Sequence, residues 1–222
     1  MKMTKLSDKF LKQAIIDGSG RLNPGDAKLL IKACEIAQAE TIVEIGSFDG
    51  GSTIILGTWA KENDAQLICM EPKPTAKWRA NMIKYELCKD ELDTDIDLLP
   101  SDTISLMIEP SPKSFYFDMV DGIFPLIDVL FIDGDHRPTH TITDFIAGAP
   151  FLKVGGVWVQ HDWCGRPCKQ YGGRSVAKMV QDAVKIILDD YGDCFEEIGR
   201  SEGKDRGAIA FKKIKDMRCN IK

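Results

Sequence analysis

Apolar residues along this chain recur in two alternating periods. Leu30, Ala33, Cys34 and Ala37 fall at i, i+3, i+4, i+7 and give one buried helix face, and Pro24 stands at a first-turn position that tolerates proline. A short apolar run, Thr41 to Gly46, then reads as a buried strand. The exchange repeats with a helix from about Gly51, a strand over Gln66 to Glu71, a helix over Thr75 to Leu87 and a third strand over Ile96 to Ser101. Ile127 to Asp133 is a fourth strand, apolar enough at its centre to be buried on both faces. Ile142, Phe145, Ile146 and Ala149 stripe the next helix, and Val154 to Asp162 forms strand five. Val176, Val180, Val184, Ile187 and Leu188 stripe a helix from Arg174 to Asp190. Cys194 to Arg200 and Gly207 to Lys213 close the chain as an antiparallel hairpin.

This alternation predicts an α/β fold: a Rossmann-like, doubly wound, seven-stranded sheet, mostly parallel, with helices on both faces and the hairpin at its end. The domain is expected over 23–222, preceded by a helical leader at 1–22 in which Lys5 to Asp17 is broken by Gly18-Ser19-Gly20. That leader could cover the domain, close over a site or mediate assembly. Glu109 to Leu126, rich in proline and aromatic residues, reads as a loop that either packs on the core or walls a pocket.

Composition narrows the class. The 222 residues are 44% hydrophobic and 28% charged with a formal net charge of −5, which excludes disorder and argues against a nucleic-acid partner held mainly through phosphates. No apolar run approaches a membrane span, and Met1 to Phe10 lacks the apolar stretch of a secretory signal. The seven cysteines are an odd, scattered set, and only Cys164 and Cys168 lie close together. Reduced thiols in a cytoplasmic protein are expected.

Open parallel sheets bind ligands beyond the carboxyl ends of their strands, at the point where strand order reverses. After strand one the sequence reads Glu44-Ile45-Gly46-Ser47-Phe48-Asp49-Gly50-Gly51-Ser52. Glycines 46 and 50 permit a tight turn and close backbone approach to a ligand, although the spacing is not that of the dinucleotide fingerprint. Glu71 ends strand two, where a carboxylate can accept hydrogen bonds from ribose hydroxyls. Glycine loop and acid together point to a nucleoside ligand. At strand ends four and five, Asp133 and His161-Asp162 converge if those strands are neighbours, about 4.8 Å apart, and their donors suit a divalent ion.

These segments resemble the class I S-adenosylmethionine-dependent methyltransferases. The glycine loop is similar to their first motif, Ile132-Asp133-Gly134-Asp135-His136 to their fourth-strand motif, and Gly155-Gly156 through His161-Asp162-Trp163 to their fifth. The closest likeness is to the small bacterial metal-dependent O-methyltransferases of the catechol, caffeoyl-CoA and macrolide-sugar type. The resemblance implies S-adenosyl-L-methionine as cofactor and a cofactor-binding set of Glu44, Gly46, Ser47, Phe48, Gly50, Ser52, Glu71, Ser101, Asp102, Asp133 and His136. Within it the loop faces the methionine part, Glu71 the ribose, and Ser101 and Asp102 the adenine. It further implies a magnesium ion on Asp133, His161 and Asp162, which are also the catalytic residues, with a small hydroxylated molecule as acceptor.

His161 departs from the family pattern, where a carboxylate or amide is common. An imidazole is softer than magnesium prefers, so another divalent metal, or His161 as a general base without metal, are alternatives. His140 lies i+4 from His136, but the HExxH pattern is missing and His140 reads as a solvated first-turn residue. Arg166, Lys169, Tyr171 and Arg174 follow strand five and could favour an anionic acceptor. Relatives of this kind commonly form homodimers, for which the leader helix is a candidate surface.

Overall fold

The computed structural model describes residues 6–88, 103–108, 110–113, 115, 125–164, 175–201 and 206–217. Its strands are β1 (Thr41–Ile45), β2 (Gln66–Met70), β3 (Ile104–Met107), β4 (Ile127–Ile132), β5 (Leu152–Gln160), β6 (Phe195–Arg200) and β7 (Ile209–Lys213). The helices are α1 (Asp8–Asp17), α2 (Pro24–Ala37), α3 (Gly51–Asn63), α4 (Ala76–Lys84), α5 (Pro138–Gly148) and α6 (Val176–Tyr191). One sheet runs β3-β2-β1-β4-β5-β7-β6. Every pair is parallel except β5 with β7 and β6 with β7. The order reverses at β1, which pairs with β2 on one side and β4 on the other, so the crevice for a ligand opens above β1.

Strand alternation divides the core in two. Ile42, Val129, Phe131, Val157 and Val159 face a layer with α1, α2 and α3. Val43, Ile45, Leu130, Ile132 and Trp158 face the layer of α5 and α6. All six residues of β4 are buried, as the run of apolar side chains requires of a central parallel strand. The one charge among them, Asp128, accepts from the Glu40 and Thr41 amides at 3.0 and 2.9 Å and pairs with Lys153 at 2.7 Å.

One strand differs from expectation. The third lies at Ile104–Met107, eight residues beyond the apolar run at Ile96, so Ser101 and Asp102 precede it rather than follow it. Both lie outside the described residues, as do Arg166, Lys169, Tyr171 and Arg174. The expected loop after Glu109 is helical at 111–113. It serves both anticipated ends: Phe115 is buried and stacks on Phe151 at 5.7 Å, while Pro110, Ser111 and Pro112 wall a cavity.

The leader helix starts at the Ser7 cap, whose side chain accepts from the Phe10 amide. It packs into the same core layer as α2 and α3 through Leu11, Ala14 and Ile15. Gly18 meets the backbone of Gly51 so closely that a Cβ there would overlap it. Asn81 donates to the carbonyls of both Asp17 and Asp49, and Lys84 pairs with Asp17 at 2.6 Å. The start of α3, and with it the end of the glycine loop, is thereby held from outside. No helix among the described residues is long and apolar enough to cross a membrane.

Candidate functional site

Four strand ends carry their loops to one rim because the sheet's own hydrogen bonds continue past them. Gly46 N–H donates to the Met70 carbonyl (3.0 Å), Glu71 N–H to Met107 (3.0 Å), Asp133 N–H to Ile45 (2.8 Å) and His161 N–H to Ile132 (3.0 Å). Above them lies a cavity of about 940 Å³. Of the expected residues, Gly46, Phe48, Glu71, Asp133, His136 and Asp162 line it.

Gly46 has φ +85°, and a Cβ on it would overlap the Asp133 carbonyl, so the position demands glycine on two grounds. Gly46→Ala is expected to lower stability by about 1–3 kcal/mol, read as a fall in the thermal midpoint. A variant that melts with the parent would contradict this account of the turn. Glu71 fastens the loop that Gly46 begins. Its Oε2 accepts from the Ser47 and Phe48 amides, both at 3.1 Å, and its Oε1 from the Lys73 amide at 2.9 Å. A carboxylate offers about four lone-pair positions, so roughly one remains for a ligand.

Glu44, Ser47 and Ser52 are buried behind the loop rather than on the cavity wall. Burial pushes the Glu44 carboxyl up to about 7, against hydrogen bonds from Ser52, Thr53, Cys69 and Ser47 that lower it. Glu44 thus ties the loop to α3 and β2. Gly50, also at φ +85°, backs onto Trp78.

At the β4 and β5 ends the histidines divide. Ligand atoms of Asp133, His136 and Asp162 lie within 4.8 Å of one another, with His136 Nε2 at 2.5 Å from Asp162 and 4.0 Å from Asp133. Ligands about 2.1 Å from a common ion stand roughly 3 to 4.3 Å apart, so two carboxylates and an imidazole fit a divalent cation after small side-chain movements. Burial opposes charge on His136, but the Asp162 carboxylate outweighs it and holds the imidazole above its ordinary value. Burial likewise opposes charge on Asp162, and the two histidines overcome it and hold that carboxyl far down.

His161 is 1% exposed and faces away from the cavity. Its Nδ1 contacts Asp133 at 2.8 Å and its Nε2 contacts Asp26 at 3.2 Å. Both nitrogens contact carboxylates, and these favour the charged ring: burial works against the charge, and Asp133, Asp162 and Asp26 together raise the imidazole well above its ordinary value. Asp26 is itself 0% exposed, receives the Ser201 hydroxyl, and closes the capping box of α2 with Asn23 at 2.9 Å. The sequence signals Asp26 only as the acid of a capping box, three residues after Asn23. His140 is exposed, contacts Arg137 at 3.0 Å and lines the cavity edge.

Three lining groups had no signal in the chain's local pattern. Asp144, on α5, is buried and accepts from Ser111, and burial pushes its carboxyl up to about 6. Arg21 and Arg206 enter from opposite ends of the chain. Only the folded topology brings these positions to one wall.

A sheet of this order, with a glycine loop after β1, an acid after β2 and an acid after β4, is the architecture of a nucleoside-dependent group-transfer enzyme. Residues 43–163 match the model of a family described as a methyltransferase domain, and the chain belongs to that family. Solved structures agree on the fold. An O-methyltransferase from Bacillus cereus, in complex with SAH, superposes with a TM-score of 0.67 at 16% identity, covering 94% of this chain and 92% of that one. TomG, an O-methyltransferase from Streptomyces achromogenes involved in tomaymycin synthesis and solved with SAM, gives 0.64 at 15% identity, covering 96% and 92%. MycE, from the mycinamycin biosynthetic pathway and solved with Mg, SAH and mycinamycin VI, gives 0.60 at 14% identity, covering 96% of this chain and 57% of that one. No curated protein sequence gives a significant match.

Proposed function

We propose that this methyltransferase uses S-adenosyl-L-methionine to methylate an oxygen of a small hydroxylated molecule, such as a sugar, a phenol or a natural-product intermediate. The observation that carries the reading is the shared cavity: the cradle of Gly46, Phe48 and Glu71 and the donor set of Asp133, His136 and Asp162 open into the same space. The cofactor would supply an electrophilic methyl group, and a divalent ion on the donor set would lower the pKa of the acceptor hydroxyl. This chain's residues do the rest. Gly46 lets the backbone approach the ligand, Glu71 accepts from the ribose and holds the loop, and the donor set fixes the acceptor oxygen for in-line attack. Mixed carboxylate and imidazole donors favour manganese, iron or zinc over magnesium.

The 2.5 Å contact of His136 with Asp162 favours a second reading, in which His136 takes the acceptor proton without a metal. Chelation separates the two. Dialysis against a chelator is expected to abolish methyl transfer from labelled cofactor to a panel of hydroxylated acceptors, and manganese to restore it. Full activity after chelation would establish the metal-free base instead. No transfer under any condition, together with no binding of S-adenosylhomocysteine, would overturn the proposal.

A further inference from the structure

We propose that Arg21 and Arg206 form an anion-binding end of the cavity that takes the carboxylate of a small ligand. Both line the cavity, and both lie outside residues 43–163, the stretch matched to the family. Neither guanidinium has a carboxylate within 4.0 Å among the described residues, although the wall they share also holds Glu71, Asp133, Asp135, Asp144 and Asp162. Arg21 is near enough to Asp49 to help lower that carboxyl, but the direct contacts of both guanidinium groups are to other partners. The Arg21 guanidinium sits 4.9 Å over the ring of Phe48, in the glycine loop. Arg206 donates from Nη1 to the Arg21 carbonyl at 3.0 Å, and its own carbonyl accepts from Asn23 at 2.8 Å. The next residue, Gly207, accepts from the amide of Trp163, directly after Asp162.

The pair therefore spans from the cofactor loop to the end of β5. The cavity is polarised, with carboxylates over its floor and two positioned guanidinium groups at one end. Arginine's planar fork matches a carboxylate, and a charge-assisted pair of this kind is among the stronger hydrogen bonds available to a ligand. Two sources present that chemistry: the amino-acid carboxylate of the proposed cofactor, and a carboxylate on the acceptor. The first source rests on the cofactor reading above, and the second does not.

Calorimetric titration of the parent, Arg21→Gln and Arg206→Gln decides both the site and its source. Neither side chain is part of the core, so the variants are expected to melt with the parent. S-adenosylhomocysteine is compared with 5′-methylthioadenosine, which lacks the carboxylate. 3,4-Dihydroxybenzoate is compared with catechol, each with manganese and with and without the nucleoside. If the cofactor supplies the anion, the variants lose tenfold or more in affinity for S-adenosylhomocysteine and none for methylthioadenosine. If the acceptor supplies it, the loss falls on dihydroxybenzoate alone. Variants that bind all four probes within twofold of the parent overturn the anion site. So does a parent with no preference for either carboxylate probe over its neutral counterpart. A parent that binds neither nucleoside defeats the cofactor reading, and the benzoate pair without nucleoside still decides the site.

Discussion

Glu71→Ala is expected to weaken S-adenosylhomocysteine binding by at least about 100-fold, close to 3 kcal/mol. A single hydrogen bond to a charged acceptor contributes about 1.5–3 kcal/mol, and the ribose contact alone would reach the lower part of that range. The rest comes from the loop. Three backbone amides, of Ser47, Phe48 and Lys73, donate to this one side chain. Alanine releases all three, and the ligand must then order the turn as well as bind to it. Glu71→Gln keeps one acceptor oxygen and should fall between. Titration of both variants, with melting curves to confirm folding, tests the argument; affinity within threefold of the parent for Glu71→Ala would defeat it.

His161→Leu is expected to cost about 3–5 kcal/mol of stability, because it strands the buried carboxylate of Asp26 and removes the partner of Asp133. For a chain of this size that is a fall of roughly 6–20 °C in the thermal midpoint. Changing both members should be milder than changing one: Asp26→Leu combined with His161→Leu is expected to recover part of the loss, since the apolar pair needs no desolvation. The effect also depends on pH. His161 has its folded pKa raised well above 6.5, so its stabilisation is complete below about pH 6.5 and is lost as pH climbs through the raised value. In metal-free buffer the gap between parent and His161→Leu should narrow from pH 6 toward alkaline pH. A gap that widens would show that the ring is neutral in the folded protein.

Most of the sheet was legible because its strands are contiguous apolar runs at ordinary intervals. β3 was not, since two short apolar segments, one from Ile96 to Leu99 and one from Ile104 to Ile108, compete for the third position, and only Ile104 and Leu106 of the strand's four residues are buried. The rim was legible in its strand-end acids but not in the division of labour between the histidines. Strand parity holds that information. Val157 and Val159 face the α2 layer, so His161 continues that side of β5, as Asp133 continues Val129 and Phe131 on β4. Asp162 escapes the alternation through its φ of +55°. What parity cannot supply is the partner, because Asp26 is 135 residues away from His161.

The N-terminal cap of α2 therefore has a second consequence. A helix end ordinarily frays at little cost, and its first amides exchange freely with solvent. Here Asp26, the capping-box partner of Asn23 in the first turn, is clamped to His161 and Ser201, so opening the first turn of α2 means parting contacts that join distant regions of the chain. Amide protons of the α2 start should exchange only through sub-global opening, and the rim of the cavity should assemble late in folding, after these long loops have closed.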